Sequence, residues 1–250
     1  MPTEPPSTVQ QTSSSATSGV AAHRTSLATL HARALYRPVP PVACDDDGYP
    51  ETDSAAVEST IHEKLRGYAI GALRVHYAAR ADFFVAADLG LFFERGDRSA
   101  LVAPDLMVAF GAGHRERGSY KLWEEPKPPN FVLELLSLRT WRNDVEAKPG
   151  LYEALGVDEF WLFDPIGKLP RPINGWHLDA DGVYVPVPAM PDGGYRSRVL
   201  GLDLVPGGDG FRFRDSATGD VLPDHGETAV ALKASEARVA ELEELLRRQR

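Results

Sequence analysis

Phe131-Val132-Leu133-Glu134-Leu135-Leu136 is a nearly continuous apolar run with one carboxylate inside it. A short run of this kind reads as a strand buried on both faces. Successive side chains of a strand point to opposite faces, so Glu134 lies opposite Leu133 and Leu135 and projects alone from an apolar surface. A carboxylate there bears a large desolvation cost unless it is paired or holds a cation. This is the strongest anomaly in the chain.

The neighbouring segments set that strand in a sheet. Downstream, residues 144–155 predict a helix stopped by Gly156, and residues 159–163 predict another core strand. Upstream, residues 106–110 predict a strand stopped by Gly111-Ala112-Gly113, and residues 83–87 and 91–94, around Asp88-Leu89-Gly90, predict a β-hairpin. From residue 55 to 79, Val57, Ile61, Leu65, Ala69, Ala72, Leu73 and Val75 recur at steps of three and four, the stripe of an amphipathic helix. The fold class is α/β, a mixed sheet flanked by helices. Residues 176–178, 183–187, 199–205 and 211–213 are short strands punctuated by Gly, Pro and Asp, a β-rich C-terminal extension. Residues 227–250 predict a terminal helix in which Leu232, Val239, Leu242 and Leu246 fall on heptad positions, with Ser235 interrupting the seam of a short coiled coil.

Residues 1–48 are rich in Pro, Ser, Thr and Ala and read as a disordered segment with one short helix at 26–35. The folded domain is expected over residues 49–226 and the terminal helix over 227–250. Asp45-Asp46-Asp47 lacks the later ligands of a calcium loop and reads as a solvated acidic linker.

Composition narrows the function. With 43% hydrophobic and 25% charged residues, the 250-residue chain is ordinary for a globular protein. The single cysteine, Cys44, excludes an internal disulfide framework and a cysteine zinc site, which suits a reducing, cytoplasmic location. No run approaches the length of a membrane span, and no basic region followed by an apolar stretch opens the chain, so neither a membrane anchor nor a secretory signal is expected. The net charge of −9 argues against bulk attraction to nucleic acid, although residues 111–148 carry seven Lys or Arg against six Asp or Glu.

Two more polar residues stand near the anomalous strand. Asp105 follows Pro104 at the start of a strand, and Lys148 lies near the start of the next helix. Asp and Glu brought together from adjacent strands make a hard oxygen site suited to Mg2+ or Mn2+. Such a cation holds a scissile phosphate and lowers the pKa of an attacking water, while a nearby Lys orients that water or stabilises the transition state.

Pro104-Asp105, Glu134 within a strand and a nearby Lys resemble the motif of the PD-(D/E)XK nucleases. The finer likeness is to the Uma-two family within that superfamily. It rests on residues 132–140, on Asp144, Lys148, Tyr152 and Gly156-Val157, and on Glu159-Phe160-Trp161-Leu162-Phe163-Asp164-Pro165. Gly48-Tyr49-Pro50, Glu58-Ser59, His62 and residues 119–123 extend it. Leu136 stands where most of the superfamily has its catalytic Lys, and the family pattern moves that Lys onto the helix, to Lys148. The resemblance implies a restriction-endonuclease-like fold and Mg2+-dependent hydrolysis of DNA, with Asp105, Glu134 and Lys148 catalytic.

Asp105 and Glu134 would hold the cation. Glu58 is either a surface residue or a supplementary ligand, and Arg139 and Arg142, flanking Trp141, are candidate DNA-backbone contacts. Asp144 is read as a helix N-cap and His62 as a packed or surface residue. The competing reading is a nuclease-fold protein without catalysis, a binding or assembly module whose terminal helix recruits a partner. A nuclease cutting both strands would be served by a two-fold homodimer.

Overall fold

Helical spacing of apolar side chains produces the first described element, α1 (Thr60–His76), which buries Leu65, Ala69, Ala72 and Leu73 along one stripe. The structure, a computed structural model, describes residues 60–208 and 210–249. The segment 1–48, the short helix at 26–35, the acidic run 45–47 and the opening of the predicted first helix, with Glu58, lie outside the described residues.

Beyond α1 the chain runs through β1 (Phe83–Ala86), β2 (Leu91–Phe92), β3 (Leu101–Val102), β4 (Leu106–Phe110), β5 (Tyr120–Lys121) and β6 (Phe131–Leu135). Helices α2 (Trp141–Glu146) and α3 (Lys148–Leu155) lead to β7 (Glu159–Phe163). Then follow β8 (Ile173–Leu178), β9 (Tyr184–Pro186), β10 (Tyr195–Ser197), β11 (Leu202–Gly207), β12 (Gly210–Asp215) and α4 (His225–Arg248). A six-stranded mixed sheet in the order β1-β4-β6-β7-β8-β9 forms the centre. Within it only β6 and β7 pair in parallel, and the pair α2–α3 makes the connection between them. This is the mixed, helix-flanked sheet expected from the sequence.

The central strands are buried on both faces, and two cores follow from their alternation. On one side Phe131, Leu133 and Leu135 of β6 pack with Leu65, Leu73, Trp161 and residues of β11 and β12. On the other, Val132 and Leu136 pack with Leu151, Tyr152, Phe160 and Leu162. Trp161 faces Gly175 across the β7–β8 pair, and a methyl group on Gly175 would collide with the indole ring. Glycine is therefore the residue that lets this fully buried Trp lie over the neighbouring strand.

Three local expectations are corrected. Residues 83–87 and 91–94 do not form a hairpin. β1 pairs with β4, while β2 pairs with β3 and, in parallel, with β5 in a small separate sheet. The chain leaves the main sheet at Asp88, whose positive φ of 50° redirects it and whose N–H bonds to the Pro104 carbonyl oxygen. The predicted helix at 144–155 is two helices broken at Ala147. Pro149 has no N–H to donate and sits instead in the first turn of α3, where none is required. Gly156 closes α3 in the left-handed region, as expected. Finally, the β-rich extension is divided: β8 and β9 widen the main sheet, and β10–β12 form their own three-stranded sheet.

Candidate active site

The register of β4 against β6 builds the site. Leu106 pairs with Leu133 in an antiparallel ladder, so the next step places Asp105 beside Glu134. The Leu135 N–H donates to Asp105 Oδ2 at 2.8 Å, and the Asp105 N–H approaches Glu134 Oε2 at 3.4 Å. Glu134 belongs to the β6 face shared by Val132 and Leu136, which looks toward α3. Two residues of α3 one turn apart reach it. Lys148 Nζ lies 2.8 Å from Glu134 Oε1, and the Tyr152 hydroxyl donates to the same oxygen at 2.7 Å.

Lys148 has a second partner, Asp144 Oδ1 at 2.9 Å across the break at Ala147. The ammonium is thus held between two carboxylates whose side chains are 1% and 2% exposed. Asp144 is not the N-cap of its helix. That position belongs to Thr140, whose hydroxyl donates to Asp144 Oδ2 at 2.8 Å. The acid that looked like a capping residue serves as a buried anchor for the lysine.

The opposite wall comes from α1. Arg66 donates to Asp105 at 3.3 Å and to Asp88. One turn earlier, buried His62 donates from Nε2 to the Leu136 carbonyl oxygen at 3.2 Å. Neither Arg66 nor Asp88 was singled out in the sequence, and Tyr152 entered only through the family pattern. The available signal was spacing: Arg66 lies beside the apolar stripe of α1 four residues after His62, and Tyr152 is four residues after Lys148.

Burial governs the electrostatics. Glu134 is pushed up to about 8, because desolvation and the neighbouring Asp105 and Asp144 outweigh the attraction of Lys148. Asp105 is also raised by burial, against the opposing pull of the Leu135 N–H and of Lys148, His62 and Arg66. Burial works against the charge of Lys148, yet Glu134 and Asp144 more than offset it and hold its pKa above the usual lysine value. A second in-strand carboxylate, Glu159, makes the contrast. It accepts from Trp161 Nε1, Ser197 Oγ and the N–H groups of Arg198 and Val199, a fully satisfied anchor for the loop after β10.

The donor set suits a hard cation only in part. Among the described residues, no three His, Cys, Asp or Glu side chains converge closely enough to hold a metal by themselves. Asp105 and Glu134 supply two adjacent carboxylates, which matches Mg2+, an ion that keeps several waters and takes one or two protein carboxylates. The other two predicted residues lie outside this cluster. Arg139 and Arg142 are exposed on the segment after β6, and Arg142 stacks over Trp141 with its guanidinium carbon 5.3 Å from the ring centroid. Lys168, from the loop after β7, approaches the same ring at 5.9 Å.

Fold and site together define a mixed α/β protein in which a strand-borne Glu, beside an Asp just ahead of the neighbouring strand, is held by a helix-borne Lys. Residues 47–205 match the Uma2 family, described as "Putative restriction endonuclease". That span is well over half of the 250 residues, and the chain belongs to this family. A similar solved structure is "a putative nuclease belonging to DUF820 from Anabaena variabilis ATCC 29413", with 15% identity, coverage of 58% of this chain and 76% of that one, and a TM-score of 0.43. No curated protein matches the chain.

Proposed function

We propose that this protein is a divalent-cation-dependent endonuclease that hydrolyses DNA phosphodiester bonds, with Asp105 and Glu134 as cation ligands and Lys148 as the cationic catalytic group. The observation that carries the reading is that Lys148 Nζ, from α3, lies 2.8 Å from Glu134 of β6, which has Asp105 beside it just ahead of β4. A bound Mg2+ or Mn2+ would supply Lewis-acid stabilisation of the phosphoryl oxygens and a water of lowered pKa.

The chain's own residues fix the geometry around that centre. The Leu135 N–H aims Asp105, and the Tyr152 hydroxyl aims Glu134. A lysine whose pKa is held above its usual value stays charged at neutral pH and is a poor proton acceptor. Lys148 therefore acts as a donor to the phosphoryl group, stabilising charge as it develops, and not as a general base. Arg142 and Lys168 stack on Trp141 from segments that follow the parallel strands β6 and β7, and so belong to the same end of the sheet as Glu134. They suit contacts to the DNA backbone on either side of the scissile bond.

Nicking of supercoiled plasmid by purified protein with Mn2+ or Mg2+ tests the proposal, with Asp105→Asn and Glu134→Gln as controls. Cation-dependent nicking lost in both variants supports it. DNA binding without nicking favours the binding-module reading, to which Leu136 at the superfamily's usual Lys position lends weight.

A further inference from the structure

We infer that α4 is a dimerisation helix that pairs in parallel with α4 of a second copy of this chain. It begins in a capping box, in which the Asp224 side chain accepts from the Glu227 N–H and Glu227 accepts from the Asp224 N–H. Arg212 of β12 pairs with Glu227 and so ties this end of the helix to the body of the protein. None of the residues of α4 is buried. Leu232, Val239, Leu242 and Leu246 are 58%, 52%, 44% and 62% exposed. They occupy positions a, a, d and a of successive heptads, with Ser235 at the remaining d between them. Side chains at these positions form one seam along a helix, and nothing among the described residues covers it.

The charges beside the seam select both the occupant and its direction. In this register Glu236 and Glu243 occupy e positions and Arg238 a g position. A parallel two-stranded pairing sets g of one helix against e of the next heptad in its partner, so Arg238 meets Glu243 of the other copy twice over by symmetry. An antiparallel pairing sets e against e and g against g. It brings glutamates against glutamates and Arg238 against Arg238, a like-charge arrangement that disfavours it. Arg238 lies beside Glu241 on its own helix, an exposed contact that it can exchange for Glu243 of the second copy at little cost. Val at a followed by Leu at d, as in Val239 and Leu242, is a combination that suits two strands. A parallel pair also brings the two Asp224 caps together, so two copies of the domain, each with its own cluster, would stand side by side.

Sedimentation of the full chain across a concentration series tests this without reference to catalysis. The parent should move from monomer to dimer with concentration, and Leu242→Glu should remain monomeric. Because α4 makes no buried contacts, its variants should keep the parent's melting temperature, and that measurement separates lost pairing from lost folding. Arg238→Glu and Glu243→Arg should each weaken the dimer about ten-fold, since two exposed attractions become two repulsions. The double variant should recover parental association. A parent that stays monomeric, or a Leu242→Glu variant that still dimerises, overturns the seam. Charge reversals that weaken singly but do not rescue each other overturn the parallel register.

Discussion

Lys148→Met removes the ammonium between Glu134 and Asp144 while leaving a stem of similar length, so it isolates the charge from the packing. The lysine side chain is 11% exposed, and its two partners are almost fully buried. Taking away one member of a buried ion pair costs about 3–5 kcal/mol where its partner stays charged. For a chain of this size that corresponds to a fall in melting temperature of roughly 6–20 °C. The loss should depend on pH. Glu134 holds a proton in the folded state up to about 8, well above the usual carboxylate range. Stability from that group is therefore greatest at low pH and declines as the pH rises toward about 8. Without the attraction of Lys148, Glu134 keeps its proton to still higher pH, so the decline continues past about 8 at up to about 1.4 kcal/mol per pH unit. Thermal unfolding in chelator at pH 7, 8 and 9 measures this directly. The gap between parent and Lys148→Met should widen with pH, and adding Glu134→Gln should narrow it at pH 9. A gap that is small or constant across these pH values would refute the reasoning.

Three other outcomes follow from the same geometry. Mn2+ affinity measured by calorimetry should rise up to about ten-fold per pH unit between pH 6 and 8, with proton release, because the cation displaces the proton on Glu134. Affinity that is flat with pH would place binding elsewhere. Arg142→Ala and Lys168→Ala should each lower the slope of log K for DNA against log salt by about 0.9 while leaving Mn2+ binding unchanged. An unchanged slope would remove these cations from the DNA path. Gly175→Ala should destabilise the protein by about 1–3 kcal/mol through overpacking against Trp161, read as a lower melting temperature with no change in cation affinity.

The parts of the fold legible in the sequence were those where burial alone decides the element. β4, β6 and β7 lie within one residue of their predicted bounds because continuous apolar runs leave few alternatives. Strand partners were less legible, because a run such as Leu91-Phe92 states that it wants burial and not which edge it will join. β1 and β2 adjoin in sequence, but the backbone at Asp88 sends them to different sheets. The break at Ala147 was visible in Pro149, whose missing N–H forbids one continuous helix, yet the apolar periodicity across residues 144–155 masked it.

The site shows where one-dimensional reading stops. Glu134 announced itself because a carboxylate in an apolar strand has no bland explanation, but Glu159 would have passed the same test. Only the donors separate the two: four around Glu159 against a lysine, a tyrosine hydroxyl and one long backbone approach around Glu134. Asp144 illustrates the converse, since its place near a helix start suggested a cap while its function is to share Lys148 with Glu134. An ammonium shared by two buried acids has a consequence for any cation that enters. Positive charge brought to Glu134 would weaken its hold on Lys148, and the 2.9 Å contact to Asp144 would keep the lysine from leaving. Under the proposed function the lysine would then turn toward an incoming phosphate while still anchored, which a single ion pair would not permit. Asp144→Asn should accordingly lower cleavage more than it lowers cation affinity. If both fell equally, Asp144 would belong to the cation's own coordination and not to the positioning of Lys148.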